Sequence, residues 1–453
     1  VSGGRARPRA ASEELTDLAE WVVGFALRCG ADEAEAVVND GFEFNVDVRK
    51  GRVEHLEEAG EKALRLRVIK DGRTAHAASS DLEPGVLRRL VRNAVTRARL
   101  SSPDEYAGLA PLSTTALPGP ELDIYDPDMA GLAAAAKIKL ALETERVALS
   151  DKRITNSHGA TLTSAEGRLV IVNSNGFRGD YRQTYCSLGV GLQAGETDNR
   201  AEDYWFSAKR HFRDLDPPEA IARKAVARTV RHLNPRKLRT GNVPVIFEPT
   251  QTAWLLGFLF ACVSGTAVYQ KSTFLAGRLG RLIAHPRVTV VDDGLLPRGL
   301  GTRPFDSDGL PSQRTEVIKN GRLLNYLCNF YAARKLGLKS TANASGTGVG
   351  PTNFYLMPGP ETPERMIVGT RRGLILTKTI GHGLNPVTGD ISRGAFGLWV
   401  EGGEVTFPVA EVTISGNLGR MLKEVEAIGN DLDLTSAVTG PTVKFAEMTV
   451  AGR

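Results

Sequence analysis

Hydrophobic residues recur along this chain at two spacings. Between Ser12 and Cys29, the residues Leu15, Leu18, Ala19, Val22, Phe25, Ala26 and Cys29 fall on one face of a helix, which Ser12 can cap and Gly30 can close. Period-two alternation follows: Phe42, Phe44, Val46 and Val48 up to a Lys50-Gly51 turn, then Leu64, Leu66 and Val68 up to Lys70-Asp71-Gly72-Arg73, a hairpin signal. Helical spacing returns over Pro84–Leu100, and again in an Ala-rich stretch predicted as one helix from Pro127 to Leu149. Ile154 to Ala194 alternates between turn residues and reads as an antiparallel meander, and Pro217 to Leu233 reads as a further helix. The most apolar stretch is Val243–Phe274. It predicts a strand (Val243–Glu248), a turn through Pro249, and a helix from about Thr252 to Val263 that Ser264-Gly265 ends. That helix carries Trp254, Leu255, Leu256, Phe258, Leu259 and Phe260 on nearly every face, so it belongs in a large core. The remainder is strand and hairpin: Val288–Asp293, a hairpin on Asn320-Gly321, another on Gly402-Gly403, and Val412–Ser415.

This order predicts an α+β fold: an N-terminal α/β-sandwich-like region of antiparallel sheets and helices, then a largely antiparallel β domain built around a buried central helix. The expected divisions are a disordered tail at 1–11, an N-terminal α+β domain at 12–105, a middle helix and meander at 106–236, and a C-terminal β-rich domain at 237–453. Ser101–Pro120, rich in Ser, Thr and Pro, is the expected linker.

Composition changes this picture little. The 453 residues suffice for two or three cores, and the net charge of +5 is a weak excess over that length. Part of it is Arg5, Arg7 and Arg9 in a Gly/Ala/Pro tail with no interleaved aromatic residue, so nucleic acid is not an expected partner. Four dispersed cysteines without a C-x-x-C pair indicate a reducing compartment. No window is apolar enough to span a membrane, and a cytoplasmic protein is expected.

Candidate chemistry is sparse. No H-E-x-x-H, no G-x-S-x-G and no S-x-x-K occurs, and the seven histidines are scattered. The run Ala344–Pro351 has the glycines of a nucleotide loop but no helix after it. Gly346, Gly348 and Gly350 instead allow close approach of another backbone, as a peptide pairing with a strand edge needs. Gly381–Gly394 reads as a long polar loop containing His382, Asp390 and Arg393. These six residues are the candidate substrate contacts.

Longer segments carry more. SGTAVYQKSTFLAGRLG (Ser264–Gly280), FDSDGLPSQRTEVIKNGRLLNYL (Phe305–Leu327), ARKLGLKST (Ala333–Thr341), NPVTGDISRGAFGLWVEGGEV (Asn385–Val405), VAEVTISGNL (Val409–Leu418) and GNDL (Gly429–Leu432) resemble the TldD/PmbA family. KGRVEHLEEAGEKALRLRVIKDGR (Lys50–Arg73) fits more loosely. The family implies a two-subunit metallopeptidase. Its TldD-type subunit carries H-E-x-x-x-H on the central helix and a C-terminal cysteine, and its TldE (PmbA) type lacks the metal ligands. Here Leu259, Phe260 and Ser264 stand at the three motif positions, and Thr435–Lys444 has no cysteine. The resemblance therefore implies a TldE-type subunit: no catalytic residue and no cofactor in this chain, zinc in a TldD-like partner, and a shared cavity for unfolded or leader peptides. In isolation a homodimer is open. Two rival readings are a stand-alone peptidase assembled from residues such as His285, His382 and Cys328, and a regulatory binding protein, since the family has been called a modulator of DNA gyrase.

Overall fold

The computed structural model describes residues 10–452, side chains excepted at 10–13, 120 and 198. The expected disordered tail falls mainly on residues 1–9, outside the described residues; Ala10 and Ala11 belong to the first helix.

The N-terminal half is α1 (Ala10–Arg28), β1 (Glu33–Arg49), β2 (Arg52–Lys70), β3 (Arg73–Ser79), α2 (Pro84–Leu100), α3 (Ala134–Leu149), β4 (Ile154–Asn173), β5 (Arg178–Ala194), β6 (Ala201–Lys209) and α4 (Pro218–Val230). Its strands form one antiparallel sheet in the order β3-β2-β1-β4-β5-β6. The alternation seen in the sequence decides which face is covered. Ala34, Ala36, Val38, Leu66 and Val68 pack under α1 and α2, and Phe44, Val46, Val48, Leu162 and Leu188 pack under α3 and α4. The hairpins turn where Lys50-Gly51 and Asp71-Gly72 both take positive φ, the conformation that matches strand twist. Buried Glu145 of α3 accepts the Lys50 and Gly51 backbone N–H groups at 2.9 Å each and so fixes the first turn. The helix expected from Pro127 starts only at Ala134. Asp126 Oδ1 instead accepts the Asp128 N–H at 3.0 Å, a single 3₁₀ turn covers Met129–Gly131, and Ala133 is extended. Ser101–Gly119 has no helix or strand and is tied down by Arg334, which donates to the carbonyls of Glu105, Tyr106 and Ala107.

The C-terminal half is β7 (Gly241–Phe247), α5 (Pro249–Val263), α6 (Gly265–Tyr269), β8 (Val290–Asp293), β9 (Arg314–Lys319), β10 (Arg322–Leu323), α7 (Phe330–Leu336), β11 (Ala344–Ser345), β12 (Gly348–Val349), β13 (Phe354–Leu356), α8 (Pro363–Val368), β14 (Arg372–Ile380), β15 (Leu384–Asn385), β16 (Asp390–Glu401), β17 (Glu404–Asn417), α9 (Leu418–Lys423), β18 (Val425–Ile428), β19 (Val438–Thr439) and β20 (Val443–Ala451). Strands β14-β7-β20-β17-β16 pair in that order, and β16 pairs back onto β14, closing a barrel that has only the β7–β14 pair parallel. Closure removes sheet edges. A second sheet runs β10-β9-β8-β13-β19. Helix α5 lies between the two, in one core with Phe247, Phe445, Leu356, Leu374 and Val290; Phe247 and Phe445 meet edge to face at 4.9 Å. The fold is thus α+β, with a mainly antiparallel C-terminal half around a buried helix. Among the described residues no helix is long and apolar enough to cross a membrane.

Candidate functional site

Helix α5 is longer than its apolar run suggested, because Pro249 occupies its first turn, where a missing N–H costs nothing. Leu255, Leu256, Phe258, Leu259, Cys262 and Val263 are buried. Gln251, also buried, donates to the Thr377 carbonyl at 3.1 Å and accepts from Thr379, which anchors the helix to β14. Ser264 is extended and ends the helix, but α6 follows at once. Leu327 bridges the break: its N–H donates to Val263 O at 3.0 Å, and its carbonyl accepts from Gly265 N at 2.7 Å. A Cβ at residue 265 would lie 2.6 Å from Cys328 Sγ, so glycine is required there.

The three residues that the resemblance sets at the motif sit as follows. Leu259 is 1% exposed and lines an apolar cavity of about 20 Å³ with Leu255, Leu256, Leu356, Leu422 and Phe445. Phe260 packs edge to face on Phe354 at 5.6 Å. Ser264 is buried at the helix break. The less buried face of α5 presents Ala253, Trp254, Gly257, Phe260 and Ala261, which hold no metal-binding atom. These residues do not fit a zinc ion. Among the described residues no cluster of three or more His, Cys, Asp or Glu side chains is placed to hold one. Burial pushes the Cys262 thiol up to about 11 and the Cys328 thiol up to about 12, so neither is a ready thiolate.

The other candidates fall into two groups that the structure does not bring together. Gly346 forms the turn of the small β11–β12 hairpin with φ of 57°, and Gly348 and Gly350 lie on its return. This hairpin walls a cleft of about 590 Å³ against the uncovered face of the N-terminal sheet, lined by Val37, Arg67, His76, Ile171, Ser307 and Thr347 among others. The second group is on the barrel. Half of the segment read as a long loop is strand: β15 and β16 form a hairpin over Asn385–Asp390, and Ile391 to Gly394 belong to β16. The turn residues Pro386 to Gly389 and the glycines hid this pairing. Asp390 accepts from Thr388 Oγ1 at 2.6 Å and Asn417 Nδ2 at 2.8 Å, which holds its carboxyl below the usual range and gives it a turn-closing role. Arg393 stacks over the Trp254 ring of α5 at 4.7 Å. His382 is exposed beside them.

Sequence reasoning missed a buried ionic group beneath the cleft. Arg67 of β2 donates to Glu35 of β1 (3.0 Å to Oε1) and to Asp308 Oδ1 (3.2 Å), so one guanidinium serves two carboxylates from the two halves of the chain. Asp308 also accepts from Phe330 N, and the neighbouring Asp306 from Asp308 N, Leu310 N and Ala344 N. Burial raises Glu35 to about 7, against the pull of Arg67, and raises Asp306 to about 7. No local signal marks positions 35 and 67, because both strands carry charged residues along much of their length. Carboxyls raised in the folded state bind protons more tightly than in the unfolded chain. Their contribution is therefore complete below about pH 4 and is lost as the pH rises through about 7. Stability should fall by about 3 kcal/mol for each of the two between pH 5 and 8, and Glu35→Gln should remove about half of the combined slope in urea titrations across the range.

Comparison with known proteins places this architecture. Profiles described as PmbA/TldA metallopeptidase domain 1, central domain and C-terminal domain match residues 34–98, 128–233 and 240–452. The chain belongs to the PmbA/TldD family of metallopeptidases. It is 38% identical to the metalloprotease PmbA of Escherichia coli O157:H7 over 97% of this chain and 98% of that one. It is 34% identical to a PmbA homologue of Haemophilus influenzae over 98% and 97%. A Bacteroides thetaiotaomicron protein, solved under a designation as a modulator of DNA gyrase, superposes with a TM-score of 0.89 at 28% identity, over 97% of this chain and 99% of that one. TldE of Thermococcus kodakarensis shares the fold, with a TM-score of 0.82 at 23% identity over 96% and 100%.

Proposed function

We propose that this chain is the non-catalytic, TldE-like subunit of a heteromeric zinc metallopeptidase that cleaves unfolded or leader peptides. The observation that carries this reading is the chemistry of α5: carbon side chains and one hydroxyl stand where the family's catalytic subunit holds its zinc, and Leu259 is sealed in an apolar core. A metal site needs nitrogen, sulfur or oxygen ligands, and metal-assisted hydrolysis needs a general base. The chain then contributes shape. The glycine hairpin at Gly346, Gly348 and Gly350 offers backbone to an extended peptide, and Arg393 over Trp254, with His382 at the rim and Asp390 bracing the turn, lines the approach to α5. The zinc and the chemistry reside in a TldD-like partner.

Mixing the purified chain with an H-E-x-x-x-H-bearing subunit from the same source should give a stoichiometric heteromer by sedimentation. Two species that remain separate at micromolar concentration would rule the reading out.

A further inference from the structure

Strand β2 pairs with β1 along its whole length, but β3 covers its outer side only from Leu64 onward. The first eleven residues, Arg52–Lys62, are all exposed, and among the described residues no strand pairs with their outer edge. Folded proteins blunt such edges, because a row of free N–H and C=O groups is a template for another strand. This edge spans roughly 35 Å at strand rise; its large apolar residues stand on one face, together with Glu58 opposite Phe44, and Glu57 and Glu61 stand on the other. On the helix-covered face, Val53 and Leu56 lie opposite Val48 and Val46, whose side chains are fully buried under α3 and α4, yet Val53 and Leu56 are each 44% exposed. They extend a covered core past the last strand that covers it. On the other face, Glu57 and Glu61 stand beside exposed Glu43. Across Arg52–Lys62, four glutamates face one arginine and one lysine, in a chain of net charge +5.

We infer that the Arg52–Lys62 edge of β2 receives an extended segment of another polypeptide with alternating apolar and cationic residues. Its backbone would extend the sheet, its apolar side chains would cover Val53 and Leu56, and its cations would face Glu57, Glu61 and Glu43. A second copy of the same edge is a poor occupant. Antiparallel self-pairing about Glu57 or Glu58 sets glutamate against glutamate, and like charges directly opposite repel. The inference is independent of the peptidase reading, because it uses no residue of α5 or of the cleft.

The test is hydrogen exchange, read by mass spectrometry on the full chain, with the synthetic peptide Lys-Val-Lys-Val-Lys-Val-Lys-Val-Lys. The expected result is saturable protection confined to Arg52–Lys62. It should weaken about tenfold in Leu56→Lys and in the Glu57→Lys/Glu61→Lys double variant, and weaken again at high salt. The peptide with glutamate in place of lysine should give none. Three outcomes overturn the inference: no protection up to about 1 mM peptide, equal protection by the glutamate peptide, or protection of this segment in the isolated chain. The last would assign the edge to a second copy or to another part of the same chain. Because all the substituted side chains are exposed, the variants' circular dichroism and melting should match the parent, which separates lost binding from lost folding.

Discussion

Arg67→Ala should lower the unfolding free energy by about 3–5 kcal/mol, among the largest single-residue losses expected in this chain. The substitution leaves Glu35 and Asp308 facing each other, both nearly buried, with the cation between them removed. Breaking a buried ionic group by deleting one partner costs far more than the group contributes when intact, because the remaining charge has no solvent to fall back on. The loss should be partly recovered at pH 5, where Glu35 can take up a proton, and fully expressed at pH 8. Arg67→Lys should recover only part of it, since one ammonium cannot reproduce the fork that reaches Glu35 and Asp308 together. Urea midpoints at the two pH values check this. A loss under 1 kcal/mol at pH 8 would mean that the group does not hold the N-terminal sheet to the Asp306–Asp308 turn.

Leu259→His should cost about 3–5 kcal/mol and yield no metal site, combining the lost burial of leucine with the placement of an imidazole in an apolar cavity. Leu259 faces Leu256, Leu356, Leu422 and Phe445. Apart from the Thr252 hydroxyl, the side chains lining that cavity are apolar, none completes a ligand set, and a lone histidine binds zinc weakly. The variant separates two roles for this position. If Leu259 is purely a core residue, melting drops and zinc content stays at background. If the helix carries a latent metal site, the histidine gains zinc, and the metal offsets the loss of stability.

Much of the fold was legible in the sequence, because period and turn chemistry acted together. Lys50-Gly51, Asp71-Gly72, Asn320-Gly321 and Gly402-Gly403 each took positive φ at both central residues, as a tight hairpin requires. The α2 helix runs from Pro84 to Leu100 as its spacing predicted. The misreadings came where local and tertiary forces diverge. The alanine run from Ala133 to Ala136 suggested a helix reaching back to Pro127, but Asp126 ties the backbone ahead of it into a turn. Gly381–Gly394 looked like a loop because its glycines and the Pro386–Gly389 turn mask the alternation, although its strand partners β14, β15 and β17 are neighbours in sequence. The site was less legible still. That Leu259, Phe260 and Ser264 carry no nitrogen, thiolate or carboxylate ligand is plain from residue types, whereas the sharing of Arg67 between Glu35 and Asp308 joins residues more than 200 positions apart.

Whether hydrolysis belongs to a partner can be decided on the purified chain. Zinc content by mass spectrometry should be measured together with cleavage of an unstructured peptide, for the chain alone and after addition of a zinc-bearing TldD-type subunit. Background zinc and no turnover are expected for the chain alone, with chelator-sensitive cleavage appearing on mixing. Stoichiometric zinc and chelator-sensitive turnover by the chain alone would contradict the assignment of hydrolysis to a partner.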